Sequence, residues 1–273
     1  MAIAKKVIRA EKAGDARVTG APPDNAAKTL NNIREFSGHL ADGTAAKPSG
    51  IISIKPYADS DLNDLVRLYQ SAFAEPPWNE YKQCACCGVE YGRIEVRLIG
   101  EREQPLNDHE EPAGNCKKCS ADMPANLRDF WTREKVEGDL GLALRNTNPI
   151  VLVAREISSD SPIGFTWGYR ISFEHFPFLR QVLPENTLYI DEIAVAANQR
   201  RKGIGKSLGQ ELIRMATQNG LTTFATRTDE RNDSSMALFE HLGFTGIPDA
   251  KDSRGFLFDP AFQNRIYLRL KVE

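Results

Sequence analysis

The chain has 273 residues, a formal net charge of −2 and 41% hydrophobic residues, enough for a sizeable core in one or two domains. The near-neutral balance argues against nucleic acid or an anionic membrane as a general partner, and no apolar run reaches the roughly 18 residues of a membrane-spanning helix. The N-terminus has lysines but no apolar stretch of signal-peptide length, and all five cysteines fall between Cys84 and Cys119, so a cytoplasmic protein with a local cysteine device is expected.

Residues 1–49 are rich in Ala, Lys, Gly, Asp and Pro and poor in large apolar residues. Little there can offset ordering entropy, so a flexible tail is expected. A short, thinly apolar helix over Asn25–Phe36, or an arm that docks on a partner, is the alternative. Ile51–Lys55 alternates weakly and reads as a strand ended by Pro56. Asp59, Ser60 or Asp61 then caps a helix whose Leu62, Leu65, Val66, Leu68, Tyr69 and Phe73 fall mostly at spacings of three and four. Glu75-Pro76-Pro77-Trp78-Asn79-Glu80 stops that helix. Trp78 reads either as a packed plug or as a wall of an acceptor site, an apolar face that attracts cations, with Glu80 offering a carboxylate to an amine.

Cys84-x-x-Cys87 and Cys116-x-x-Cys119 are separated by 28 residues. Two such knuckles let four thiolates converge tetrahedrally on Zn2+ with no open position, so the expected metal is structural. Tyr91–Ile99 reads as a hairpin strand and Glu101–Asn115 as a polar link, a segment that resembles a zinc-ribbon insertion. Cys86 is the spare thiol, and His109 is an alternative ligand. The competing reading is redox chemistry at Cys116-Lys117-Lys118-Cys119, where the lysines would lower a thiol pKa.

Asn126–Leu144 reads as a helix carrying Leu127, Phe130, Trp131, Val136, Leu140 and Leu144. Pro149–Ala154 and Ile163–Ser172 form an antiparallel hairpin across a turn at Ser158–Pro162. The aromatic loop Phe173–Pro184 caps the core or shapes an acceptor pocket through Glu174 and His175. Thr187–Val195 is a strand, Gln199–Leu208 contains R-x-x-G-x-G at Arg200, Gly203 and Gly205, and Lys206–Gln218 is helical. Glycines allow close approach of backbone to ligand, and a helix N-terminus with Arg200, Arg201, Lys202 and Lys206 around it suits a pyrophosphate. Strand Leu221–Thr228, loop Asp229–Asp233, helix Ser234–Leu242 with Gly243 as its C-cap, and strand Asn264–Lys271 complete the chain.

Strand, R-x-x-G-x-G and amphipathic helix together resemble motif A of the GNAT N-acetyltransferases. The following segment, with Asn232, Ala237, Phe239 and Gly243-Phe244, is similar to that family's motif B. The resemblance covers about Ile51 to Val272. It implies an α/β (α+β) fold: a mixed, mostly antiparallel twisted sheet with helices on both faces. It implies one domain over 50–273, interrupted by a zinc-binding insertion at 82–122. It also implies acetyl-CoA as cosubstrate, with the backbone of Ile193, Ala194 and Val195 along the pantetheine arm. The segment Arg200, Arg201, Lys202, Gly203, Ile204, Gly205, Lys206 and Ser207 would hold the pyrophosphate. Asn232 and Phe239 would lie beside the cosubstrate, although Asn232 also reads as an Asx turn.

The implied reaction is acetyl transfer to a primary amine in a ternary complex. Glu192 is favoured as general base, with Asp191 the alternate, because successive strand residues face opposite sides. A backbone N–H near Val195 would stabilise the oxyanion. Phe239 stands where many family members have a tyrosine acid, and it has no proton to give. Glu75, Glu80, Glu174 and Asp191 would suit a cationic acceptor, either a small molecule or a protein amine, and a homodimer is left open. The competing function is a non-catalytic acyl-CoA sensor, or a zinc-ribbon module that holds a protein or nucleic acid.

Overall fold

The computed structural model describes residues 52–74, 76–93, 95, 96, 114–248 and 256–273. The tail over 1–49, His109 and Glu75 lie outside the described residues.

The central sheet contains β1 (Ile52–Pro56), β5 (Ile150–Glu156), β6 (Pro162–Arg170), β7 (Thr187–Val195), β8 (Thr223–Asp229), β11 (Phe262–Lys271) and β10 (Phe258–Asp259) in that order, with β9 (Thr245–Gly246) also on β11. Among the described residues, only the β7–β8 pair is parallel. Helices cover both faces, as expected. Helix α1 (Leu62–Phe73) and helix α2 (Arg133–Arg145) bury Leu65, Tyr69, Val136 and Leu140 against Phe165, Trp167 and Tyr189 on one face. Helix α3 (Ile204–Gln218) and helix α4 (Asp233–His241) bury Ile204, Leu208, Leu212 and Phe239 against Leu152, Leu188, Ile190 and Phe224 on the other.

The reading of Asn126–Leu144 as one helix is corrected. A helical turn at Met123–Asn126 is followed by strand β4 (Leu127–Asp129), and α2 starts only after Thr132, whose hydroxyl accepts from the Lys135 amide. The Thr132 cap fixes where the helix begins. Upstream, Leu127 to Asp129 pair with β2 (Lys82–Cys84) instead. The predicted strand over Tyr91–Ile99 is also shorter than expected: β3 is Glu90–Tyr91, and the Val96 amide then bonds back to the Gly92 carbonyl in a helical turn. A three-stranded sheet β3-β2-β4 frames the cysteines.

Candidate active site and four-cysteine centre

Strands β7 and β8 pair from Thr187↔Thr223 to Ile190↔Thr226 and then part. Thr226 closes the paired section by donating its hydroxyl to the Ile190 carbonyl at 3.0 Å. Beyond that point Glu192–Val195 of β7 register with β6 only, which leaves the β8-facing edge of Ile193, Ala194 and Val195 open for another extended chain. The Thr228 hydroxyl on the α3–α4 face of β8 is buried without a partner among the described residues.

The loop after β7 is anchored by Arg200, whose Nε donates to the Val195 carbonyl at 3.2 Å. Gly203 is in the left-handed region at φ 81°, and a Cβ there would meet nothing within 4 Å, so glycine is required by the backbone turn and not by crowding. Gly205 differs: it sits in the first turn of α3, where a Cβ would make ordinary contact with Leu238 at 3.5 Å and Val195 at 3.7 Å. Helix α3 has no side-chain cap, so its leading amides remain available as donors. Arg200, Arg201 and Lys202 are exposed around them, with Ile204 buried and Lys206 and Ser207 half-buried.

Asp191 and Glu192 do not take opposite faces, which corrects the strand-alternation argument. The β6–β7 register shifts between Trp167↔Glu192 and Gly168↔Ile190, so Asp191 is an extra residue in a β-bulge. Gly168 makes the bulge possible, since a Cβ there would lie 2.7 Å from the Tyr189 carbonyl oxygen. Both carboxylates therefore meet the α1–α2 side. Glu192, only 5% exposed, accepts from the Tyr69 hydroxyl at 2.9 Å. Asp191 lies 3.3 Å from the Tyr169 hydroxyl and 3.4 Å from the Trp167 indole nitrogen. Asp139 of α2 lies 3.2 Å from the same Tyr69 hydroxyl. Burial first, then the charges of Glu192, Asp139 and Glu80, hold the Tyr69 phenol well above its ordinary value. It stays a donor, and the two carboxylates compete for its one proton.

The remaining candidates are dispersed. Trp78 packs on Phe73 and under the Arg265 guanidinium at 4.9 Å. Glu80 accepts from the Trp131 indole at 2.8 Å, and its charge reaches both Tyr69 and Arg265. Glu174 is exposed and His175 half-buried on the aromatic loop, whose Phe173, Phe176, Leu179 and Leu183 cap the core. Asn232 caps α4, accepting from the Ser235 amide at 3.1 Å. Phe239 is a core residue, edge-on to Phe244 with centroids 5.3 Å apart. Tyr69 and Asp139 carry no site signal in the sequence, since one reads as a core position and the other as a solvated one.

Cys84, Cys87, Cys116 and Cys119 bring their four sulfurs within 4.8 Å of one another. Two of the separations are 3.7 Å and 3.6 Å. A tetrahedral zinc with Zn–S of about 2.3 Å requires sulfurs about 3.8 Å apart, whereas a disulfide would bring them to about 2.05 Å. The donor set therefore fits zinc and not a disulfide pair. Cys86 is exposed and outside the cluster. The Tyr91 hydroxyl donates to Cys116 Sγ at 3.2 Å, and this bond, with the Lys118 and Cys119 amides, outweighs desolvation and brings the Cys116 thiol down to about 5.

A family model described as "Acetyltransferase (GNAT) family" matches residues 118–244. Those residues are a GNAT acetyltransferase domain. The match runs from the second cysteine knuckle through α4, so it contains the bulge, the glycine loop and Asn232. Among solved structures, the GNAT domain and its flanks are similar to the PaiA N-acetyltransferase of Thermoplasma acidophilum in complex with coenzyme A, at 14% identity and TM-score 0.47 over 81% of this chain and 98% of that one. An N-acetyltransferase from Staphylococcus aureus Mu50 is similar at 17% identity and TM-score 0.46, over 81% and 99%. The ribosomal-protein-S18-alanine N-acetyltransferase of Escherichia coli is similar at 13% identity and TM-score 0.43, over 82% and 95%. No curated protein matches the chain. Among the described residues, no helix is long and apolar enough to cross a membrane.

Proposed function

We propose that the GNAT domain transfers the acetyl group of acetyl-CoA to a primary amine within a ternary complex, with Glu192 as general base. The supporting observation is the position of Glu192: buried, hydrogen-bonded to Tyr69, and one residue past a bulge that coincides with the parting of β7 from β8. The open edge of Ile193–Val195 suits the amides of the pantetheine arm, and the loop from Arg200 to Ser207 suits its pyrophosphate. The unpartnered Thr228 hydroxyl offers a further bond on the same side.

An aliphatic amine with a pKa near 10.4 is neutral at pH 7 at a cost of about 4.6 kcal/mol. Glu192 accepts that proton, directly or through water, as the nitrogen attacks the thioester carbonyl. Tyr69 fixes the orientation of the carboxylate. The C–N bond forms, the oxyanion is met by a backbone N–H near Val195, and the C–S bond then breaks to release the thiolate. Phe239 supplies no proton, so the thiolate departs as such or takes a proton from water. Asp191, held at Tyr169 and Trp167, is the secondary carboxylate.

The four cysteines hold a structural zinc in this reading, and the residues around 82–122, closed by β4, form an insertion within a domain spanning 50–273. A non-catalytic acyl-CoA sensor would have no use for a buried carboxylate beside the cleft, so Glu192 favours turnover. Mass spectrometry of an amine panel with acetyl-CoA tests it. Acetylated product from the wild type and little from Glu192→Gln is expected. Product formed at equal rates by both proteins would remove Glu192 from its role.

A further inference from the structure

The first same-face residue of β8 beyond the parting point is Arg227, with Ala225 before it buried in the α1–α2 core. It therefore stands across the cleft from Asp191. Its Nη1 pairs with Asp259, which also accepts from the Tyr267 hydroxyl at 3.1 Å, and its Nη2 is buried without a partner among the described residues. A second guanidinium, Arg265 of β11, lies beside it. The Arg265 guanidinium lies over the rings of Trp78 at 4.9 Å and Phe262 at 4.6 Å. Among the described residues no salt bridge joins Arg265 to a carboxylate, and its register partner Asp229 is bound to Arg231 at 2.7 Å. Burial first, and then the neighbouring charge of Arg227, push Arg265 below its ordinary value against the opposing charges of Glu80, Asp259 and Asp229.

The cleft thus has two poles. Glu192, Asp191 and Asp139 gather at the β7 side, and Arg227 and Arg265 stand at the β8–β11 side, where Asp259 is engaged by Arg227 and Tyr267, Asp229 by Arg231, and Glu80 by the Trp131 indole. A planar guanidinium stacked on aromatic rings is suited to a fork-like bond with an anion. We infer that the acceptor carries an anionic group as well as its amine, an amino acid being the simplest case, and that Arg265, backed by Arg227, receives the anion while the amine meets Glu192. This inference rests on the acetyl-transfer reading of the cleft.

The test is equilibrium binding to the zinc-replete full chain with coenzyme A present. The probes are amino acids against their carboxamides, and O-phosphoethanolamine against ethanolamine. The anionic member of each preferred pair should bind about tenfold tighter or better, the size of one charge-assisted hydrogen bond, and Arg265→Gln should abolish the difference. The carboxylate and phosphate arms tell which anion is read. The wild-type comparison needs no variant, so misfolding of Arg265→Gln would not rescue a negative result. Equal or tighter binding of the neutral members, or no binding of any probe at millimolar concentration, overturns the inference. Anion-dependent binding without acetylated product would instead overturn the transfer reading and leave the arginine site standing.

Discussion

The cysteine insertion and the cofactor-side loop are both short local motifs, yet they are held by different physics. The loop from Arg200 to Ser207 is fixed by the strand before it and the helix after it, and both are sunk in a core that includes Leu188, Ile190, Leu208 and Leu212. Among the described residues, the insertion's buried cluster is Tyr91, Val96, Met123, Leu127 and two of its own cysteines. In the proposed reading, metal coordination, worth about 10–16 kcal/mol apparent for structural zinc, drives folding of this part. In that reading, the larger part of the molecule carries its own stability and the smaller part draws its stability from the metal.

The strongest test of that contrast is chelation. Metal removal, or Cys116→Ser, should collapse hydrogen-exchange protection across β2, β3 and β4 while amides of β5 to β8 stay protected. Cys86→Ser should change neither. Uniform loss of protection in both regions would show that the two are not independent. In the larger region, Glu192→Gln should lower kcat by about 10²–10⁴-fold, the range of general base catalysis, with acetyl-CoA affinity retained. Steady-state kinetics beside a direct binding measurement separates these two outcomes.

Acid should act on the insertion through Cys116. Its thiol is lowered from 9.0 to about 5, chiefly by the Tyr91 hydroxyl bond. A depressed value means that the folded state keeps the thiolate and gains stability as pH rises from about 5 towards the ordinary thiol range. That gain is lost as pH falls back through about 5. In the zinc-replete protein, acid-induced loss of hydrogen-exchange protection over β2, β3 and β4 should set in at a higher pH for Tyr91→Phe than for the wild type. The smallest expected effect is Tyr69→Phe. Losing one hydrogen bond to a charged group costs about 1.5–3 kcal/mol at most, so kcat should fall by roughly tenfold and the pH profile of kcat should shift with the Glu192 environment.

The parts legible in the sequence are those whose information is local. Cys-x-x-Cys spacing, R-x-x-G-x-G, the apolar period of α1 and the alternation of β11 all lie within a few residues of one another. What the sequence hides is assembled from far apart. Tyr69 and Glu192 are separated by 123 positions and Tyr69 and Asp139 by 70, and Arg265 meets Trp78 only because β11 returns beside the first helix's loop. The bulge at Asp191 was hidden for another reason. It depends on Gly168 across the strand pair, and a period-two rule applied to β7 alone cannot register an extra residue. The early end of the Asn126–Leu144 helix has the same origin, since Leu127 to Asp129 satisfy their backbone bonds on β2, which lies some 45 residues upstream.

The central claim is that the loop after β7 and the cleft beside it bind acetyl-CoA. Calorimetric titration of acetyl-CoA into zinc-replete wild type and Gly203→Asp, with ATP and NAD as controls, tests it most directly. The variant places a charged side chain on a left-handed residue in open space, at the mouth of the α3 amides. The account predicts saturable binding of acetyl-CoA by the wild type, none of the controls, and affinity reduced by about ten- to a hundredfold in the variant, the range for lost charge-assisted contacts. Equal affinity in the two proteins, or no binding by a folded wild type, would contradict it.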